Sequence, residues 1–455
     1  MNSHTADISR ARAKRARQEQ AKELKKQRKS RSILRLFSWT LMGNVVYAAC
    51  QLGMLIIIAQ LGTVRDVGVF SLALAVCAPV YMFTNMQLRG VIATDAAGQH
   101  RVGTYISLRI VSSLVAYIVV LGCAGMYWND PLIRYSILLM GAAKCFESIS
   151  DVLYGWWQKH ERMDWSSKSL VLRGILSLVL FGAVYYVWSD LLIALGVYAM
   201  SWLLMLVLYD WPRAARISGF QWSSSAPLWW TLLKQCWPMG VVMMLVSLQP
   251  NIPRYYIAEA YDHDSLGYYS ALVYVTVAVT TVVSALGQSI SPRLSRAWVN
   301  HNQYEIRSVL IRALGMVAAI GAMAMVFIAV AGEWSLTILY GSGYAAHYEL
   351  FVLLILSAIV GSAASVYGYA LTAARVFKAQ VFINAVSVLL TMLILLVLIL
   401  LGMPLISAGY TMLAVSVVNL LLTYLIWNHK LKRWKKTSAV ETSQMPNLNL
   451  IRERG

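Results

Sequence analysis

Charge is scarce in this chain of 455 residues. Only 13% of them are Asp, Glu, Lys or Arg, while 59% are hydrophobic, and the mean hydropathy is +0.60. That composition excludes an ordinary soluble enzyme and points to a membrane protein. Cysteine is sparse too. Cys50, Cys77, Cys123, Cys145 and Cys236 all sit in or beside apolar runs, with no C-x-x-C pair and no histidine nearby. Neither a disulfide framework nor a zinc site is supported, and no metal is expected. The seven histidines lie in the tails or loops, and no nucleophile and base can be assembled from the sequence. No glycine-rich loop precedes a basic Ser/Thr pair, so ATP is not the expected energy source. The chain is expected to have no enzymatic activity and no cofactor, with coupling to an ion gradient left open.

Long apolar runs fill most of what remains. Runs of about 20 apolar residues suffice to cross a bilayer. Twelve such segments are expected, near 37–61, 67–88, 104–128, 132–156, 168–188, 190–209, 230–260, 265–290, 307–332, 348–373, 379–402 and 404–427. The formal net charge of +19 lies mostly outside them, and twelve Lys or Arg fall between Arg10 and Arg35. With the N-terminus inside, the inner loops collect Arg89, Arg101, Lys159, Arg162, Arg213, Arg216, Arg293, Arg296, Arg375 and Lys378, and the outer loops collect Asp66, Asp130, Asp190, Asp262, Asp264 and Glu333. This alternation follows the positive-inside rule and puts both termini in the cytosol. The expected fold is all-α and polytopic. It divides into a basic tail at 1–35, six helices over 36–210, a linker at 211–229, six helices over 230–428, and a second basic tail at 429–455. Anionic lipid headgroups account for the basic charge, and nucleic acid is not an expected partner. No outer loop exceeds about sixteen residues, which argues against a membrane glycosyltransferase or polymerase.

The two halves repeat. Asp66-Val67-Gly68-Val69-Phe70-Ser71 opens the second span and Asp264-Ser265-Leu266-Gly267-Tyr268-Tyr269-Ser270 opens the eighth. Both give acid, hydrophobe, glycine and then aromatic-Ser after an outer loop. Repeated halves with the same direction through the membrane place a substrate site between them.

These stretches also carry a family resemblance. Gly68-Val69-Phe70-Ser71-Leu72-Ala73, Leu88-Arg89-Gly90-Val91-Ile92, Asn251-Ile252-Pro253-Arg254-Tyr255-Tyr256 and Leu266-Gly267-Tyr268-Tyr269-Ser270 resemble the polysaccharide transport family. That family belongs to the multidrug, oligosaccharidyl-lipid and polysaccharide exporter superfamily. The resemblance runs from about residue 36 to 428. It implies two six-helix lobes forming a V-shaped central cavity in a bacterial cytoplasmic membrane. It implies a flippase moving polyprenyl-diphosphate-linked oligosaccharide to the outer leaflet for O-antigen, capsule or exopolysaccharide. A polysaccharide polymerase and chain-length machinery are then expected partners beside membrane lipids. Within the superfamily the rival is a cation-coupled multidrug exporter.

Candidate site residues follow from the anion. A diphosphate attracts guanidinium groups, because parallel donors match its oxygens, and it cannot be desolvated without a cation. Arg254 is the first candidate, with Asn251 beside it. Pro250 and Pro253 each remove a backbone donor there, so a broken helix is expected, bordering a wet cavity. The alternative is an arginine that snorkels to the interface. Arg89, Arg109, Arg173 and Arg312 occupy inner positions in other spans, where a positive-inside anchor is the competing reading. Lys144, Glu147 and Asp151 stand at i, i+3 and i+7 of the fourth span, one face of a helix. That stripe faces either a cavity or a partner helix. Pro79, Pro250 and Pro253 are the expected hinges.

Overall fold

The computed structural model describes residues 39–94, 101–160, 162–217 and 226–444. The basic tail expected at 1–35 and the end of the C-terminal tail, 445–455, lie outside these residues. Among the described residues there is no strand. The first half comprises α1 (Trp39–Leu61), α2 (Val64–Asn85), α3 (Leu88–Thr94), α4 (Val102–Gly125), α5 (Pro131–Lys159), α6 (Met163–Trp188) and α7 (Leu191–Met205). A π turn, Leu206–Asp210, and the short α8 (Trp211–Ala215) follow. The second half comprises α9 (Ala226–Ala260), α10 (His263–Val299), α11 (Gln303–Tyr340), α12 (Ser342–Ala345), α13 (Tyr348–Ala373), α14 (Phe377–Leu400) and α15 (Ile406–Gln444). α15 runs on well past residue 428, where the apolar stretch was expected to end.

Eleven of the helices among the described residues are long and apolar enough to cross a membrane, so the chain is a multi-pass, all-α membrane protein. α5 is a further long helix of 29 residues, roughly 43 Å at the α-helical rise. Its charges, among them Lys144, Glu147 and Asp151, set it apart from the apolar eleven.

The acids at one end of the bundle start helices. Thr63 and Asp66 form a capping box on α2. Asp130 caps α5 with Pro131 in its first turn. Asp190 caps α7 and Asp262 caps α10. Each carboxylate satisfies backbone N–H groups that a helix start leaves open, and sits at the positive end of the helix dipole.

α9 corrects one expectation. It is continuous through Pro238, Pro250 and Pro253, so the helix is not broken at Arg254. The prolines take away the donors that would have reached the carbonyls of Val246 and Gln249. Between those two, Asn251 Nδ2 donates to the carbonyl of Ser247 at 2.8 Å.

The repeat is visible in the packing. α2 packs against α4 and α5 in its own half and against α9 and α10 in the other. At the α2–α10 crossing, a Cβ on Gly68 would stand 2.6 Å from the carbonyl of His263, and one on Gly267 would stand 2.1 Å from the carbonyl of Val64. Each glycine faces the carbonyl four residues before the other glycine, so the crossing has a local two-fold symmetry. One buried apolar cluster spans both halves, with Phe70 and Tyr185 alongside Tyr269 and Leu336. Toward the basic ends it divides in two. One cluster gathers Leu88, Tyr105 and Trp157 of the first half with Leu232 and Cys236 of α9, and another gathers Leu294, Ile306 and Trp427 of the second half.

Candidate functional site

The first half holds a cavity of about 390 Å³, bordered by side chains of α1, α2, α5, α6 and α7 and by Met243 of α9. Its polarity comes mainly from α5. The i, i+3, i+7 spacing does put Lys144, Glu147 and Asp151 on one face, and all three border the cavity. Lys144 Nζ donates to Glu147 Oε2 at 2.6 Å. Asp151 is held by two arginines: Arg89 at 3.2 Å and Arg109 at 3.7 Å.

Arg89 reaches the cavity because of how α2 ends. Met86 and Gln87 both take left-handed backbone conformations, with φ of 46° and 53°. The chain turns there and restarts as α3. Gly155 of α5 receives α3 closely; a Cβ on it would meet the Arg89 carbonyl at 2.7 Å. Arg89 is thereby brought against Asp151 and over the Tyr154 ring, 5.6 Å from its centroid. Arg109 lies behind the cavity, 0% exposed, and donates to Asn85 Oδ1.

Arg173 borders the cavity from α6 and is 1% exposed. Its Nη2 donates to Asp210 at 2.5 Å and to Ser150 at 2.8 Å, and its guanidinium lies 4.3 Å from the centroid of Trp202. Asp210, 0% exposed, accepts a second hydrogen bond from Ser169 at 2.6 Å. Ser169 spends its one proton there, so Tyr154 is the donor in the 2.7 Å contact between the two hydroxyls. A hydrogen-bonded relay thus joins Tyr154, Ser169, Asp210 and Arg173. Around the cavity stand four cations (Arg89, Arg109, Lys144 and Arg173) against three carboxylates (Glu147, Asp151 and Asp210). One positive charge is in excess.

The remaining candidates lie elsewhere. Arg254 is 8% exposed. It donates to Asn251 Oδ1 at 2.5 Å and sits 5.9 Å from the Tyr274 ring. Neither Arg254 nor Asn251 borders the charged cavity. Arg312 is exposed on α11 and stands apart from it as well. Pro79 is buried inside α2 and borders an apolar cavity of about 610 Å³ against α4, α9 and α14, where Tyr255, Tyr256 and Glu259 also stand. Pro250 borders a third cavity, in the second half. Among the described residues no group of His, Cys, Asp and Glu is arranged to hold a metal ion.

Sequence reasoning passed over Asp210, Asn85, Tyr154 and Trp202. An acid one residue beyond the expected sixth span was a signal for Asp210. The three neutral residues carried none, since aromatic and amide side chains recur throughout the spans.

Comparison with known proteins gives the family. The family model described as "Polysaccharide biosynthesis protein" matches residues 33–298, and the chain belongs to that family. It is 25% identical over 320 residues to the capsular polysaccharide biosynthesis protein CapF of Staphylococcus aureus, covering 70% of this chain and 80% of that one. Its fold is similar to the inward-facing conformation of a multidrug resistance MATE family transporter of the MOP superfamily. The TM-score is 0.72 at 12% identity, covering 86% of this chain and 96% of the other. A MOP superfamily transporter from Pyrococcus furiosus, whose binding pocket is described as reversed in polarity, aligns with TM-score 0.60 at 15% identity, covering 89% and 96%. The chain is thus a multi-pass membrane protein of a polysaccharide biosynthesis family, and its fold is the one that these transporters have.

Proposed function

We propose that this protein is a transporter, a flippase that carries a polyprenyl-diphosphate-linked oligosaccharide from the inner to the outer leaflet of the bacterial cytoplasmic membrane, for assembly of a surface polysaccharide such as O-antigen, capsule or exopolysaccharide. The observation that carries this reading is the charged cavity between α1, α2, α5, α6 and α7. A hydrated diphosphate crossing lipid must exchange water for fixed cations, while its isoprenoid tail stays in the bilayer. The cavity offers Arg89, Lys144 and Arg173 on its walls. Each is already paired with a carboxylate, so most of the positive charge is offset while the site is empty, and one charge remains because Asp151 serves both Arg89 and Arg109. An arriving diphosphate takes over these donors from Glu147 and Asp151. Arg173 is tied to Asp210 and keeps its place.

The basic ends of the helices are then cytosolic, as are both termini. α5 is a twelfth crossing, and the two six-helix lobes rock about their contact. At the basic ends the apolar packing forms two separate clusters, with α9 joined to the first half, which suits a V-shaped cleft open to the cytosol beyond α9. Arg89, nearest that end, meets the diphosphate early. Arg254, covered by Asn251 and Tyr274 in this arrangement, receives it late, once the lobes have moved. The fold likeness to multidrug transporters keeps a cation-coupled exporter in view. Glu147 and Asp151 favour the flippase instead, because both are engaged by cations.

Arg89→Ala and Lys144→Met, each present in the membrane at normal levels, are expected to lower transport about ten- to a hundredfold, the loss of one charge-assisted hydrogen bond to a buried anion. Lipid-linked intermediate should accumulate in the inner leaflet and surface polysaccharide should fall. Unchanged levels of both in either variant overturn the reading.

A further inference from the structure

The second half has a cavity of its own, about 210 Å³, between α10, α13 and α15 with Pro250 of α9. It occupies the position in its half that the charged cavity occupies in the first, since α10 and α13 repeat α2 and α5. Its chemistry differs. No charged side chain borders it; hydroxyls do, from Thr276, Thr280, Ser284, Ser357, Ser362, Ser365, Tyr369 and Ser416.

A hydroxyl has one proton and two lone pairs. Thr276 gives its proton to the carbonyl of Val273 at 2.6 Å, Thr280 to that of Val277 at 3.1 Å, and Ser365 to that of Gly361 at 3.0 Å. Ser357 and Ser416 share one hydrogen bond across α13 and α15 at 2.9 Å. Thr276, Thr280 and Ser365 therefore keep lone pairs to offer, while one hydroxyl of the Ser357–Ser416 pair keeps a proton to donate. Such a wall holds no cation to match a phosphate, and its mix of neutral acceptors and donors suits the O–H groups of a polyol. Ser362 is 3% exposed and its Oγ has no hydrogen-bond partner, so one buried polar group here is still unsatisfied.

We propose that this cavity binds an uncharged, hydroxyl-bearing sugar ring of the lipid-linked oligosaccharide while the charged cavity holds the diphosphate. The inference rests on the flippase reading and divides that substrate between the two halves. α9 borders both sites. Met243 faces the first and Pro250 the second, seven residues apart and so on nearly the same helical face, about 10 Å along the axis. That spacing lets one substrate engage both.

The test uses the full chain in lipid nanodiscs, titrated with polyprenyl diphosphate and with the same lipid bearing a neutral oligosaccharide. The sugar is expected to tighten binding about tenfold, as one or two net hydrogen bonds would. Thr280→Val keeps the side-chain shape at an exposed position, and Ser362→Ala removes the unpartnered hydroxyl; each should lose most of that gain and leave affinity for the bare lipid within about twofold. Lys144→Met should weaken both ligands alike. The inference is overturned if the sugar gives no gain in the wild type, if the variants keep the gain, or if they weaken both ligands equally. It is overturned too if the hydroxyls prove to serve a sodium ion, with the variants losing sodium dependence and keeping the sugar's contribution. Failure of the bare lipid to bind at all sinks the flippase reading itself.

Discussion

The two halves enclose cavities between equivalent helices, yet one is built from ion pairs and the other from hydroxyls. In the first half α5 carries Lys144, Glu147 and Asp151 toward its cavity. In the second, α13 carries Ser357, Ser362 and Ser365. A repeated scaffold fixes where a cavity forms, and the side chains then decide what it accepts. Ion pairs are directional, desolvated and mutually dependent. Hydroxyls that bond to their own helix are nearly independent of one another. The first cavity should therefore respond to single substitutions much more strongly than the second.

The sharpest break in this comparison is at Asp210. Asp210→Leu strands the guanidinium of Arg173 in a buried site, and the loss of one partner from a buried pair costs about 3–5 kcal/mol. Thermal unfolding in detergent should show a large destabilisation. Arg173→Met with Asp210→Leu should recover most of the stability. Equal stability of single and double variants would count against the pair as the cause.

The next effect lies where the two regions meet. Gly68→Val and Gly267→Val each drive a side chain into a facing carbonyl, and overpacking of this kind costs about 1–3 kcal/mol. Similar losses in melting temperature are expected from the two. A large loss from one and none from the other would contradict the two-fold symmetry of the crossing.

The smallest effect concerns His347, in the loop that starts α13, with its ring 4.4 Å from that of Tyr268. Burial lowers its pKa, so the folded chain binds fewer protons there than the unfolded chain. Its contribution to stability is full above the unfolded pKa of about 6.5 and is lost as pH falls below that value. The melting temperature should decline slightly over that range, and His347→Gln should remove this part of the decline. An unchanged profile would sink the assignment.

Much of this organisation was legible in the sequence. Apolar run lengths and loop charges located the helices, and the spacing of Lys144, Glu147 and Asp151 located one wall of the charged cavity. Gly68 and Gly267, noticed as a repeat, turned out to be each other's neighbours. What was not legible depends on the path of the backbone. The prolines of α9 suggested a break that the packed helix does not have. Asp210 sits on a π turn, and no residue pattern announces that such a turn will swing an acid toward Arg173. Arg89 reaches Asp151 only because the chain reverses its backbone twist between α2 and α3.

That reversal has an energetic consequence. Met86 and Gln87 are side-chain-bearing residues in a conformation that usually suits glycine, at about 1–3 kcal/mol each. The joint beside the charged cavity is therefore a loaded spring. Any rearrangement that lets α2 and α3 fuse into one continuous helix would release that energy, and Arg89 would swing around the helix axis away from Asp151.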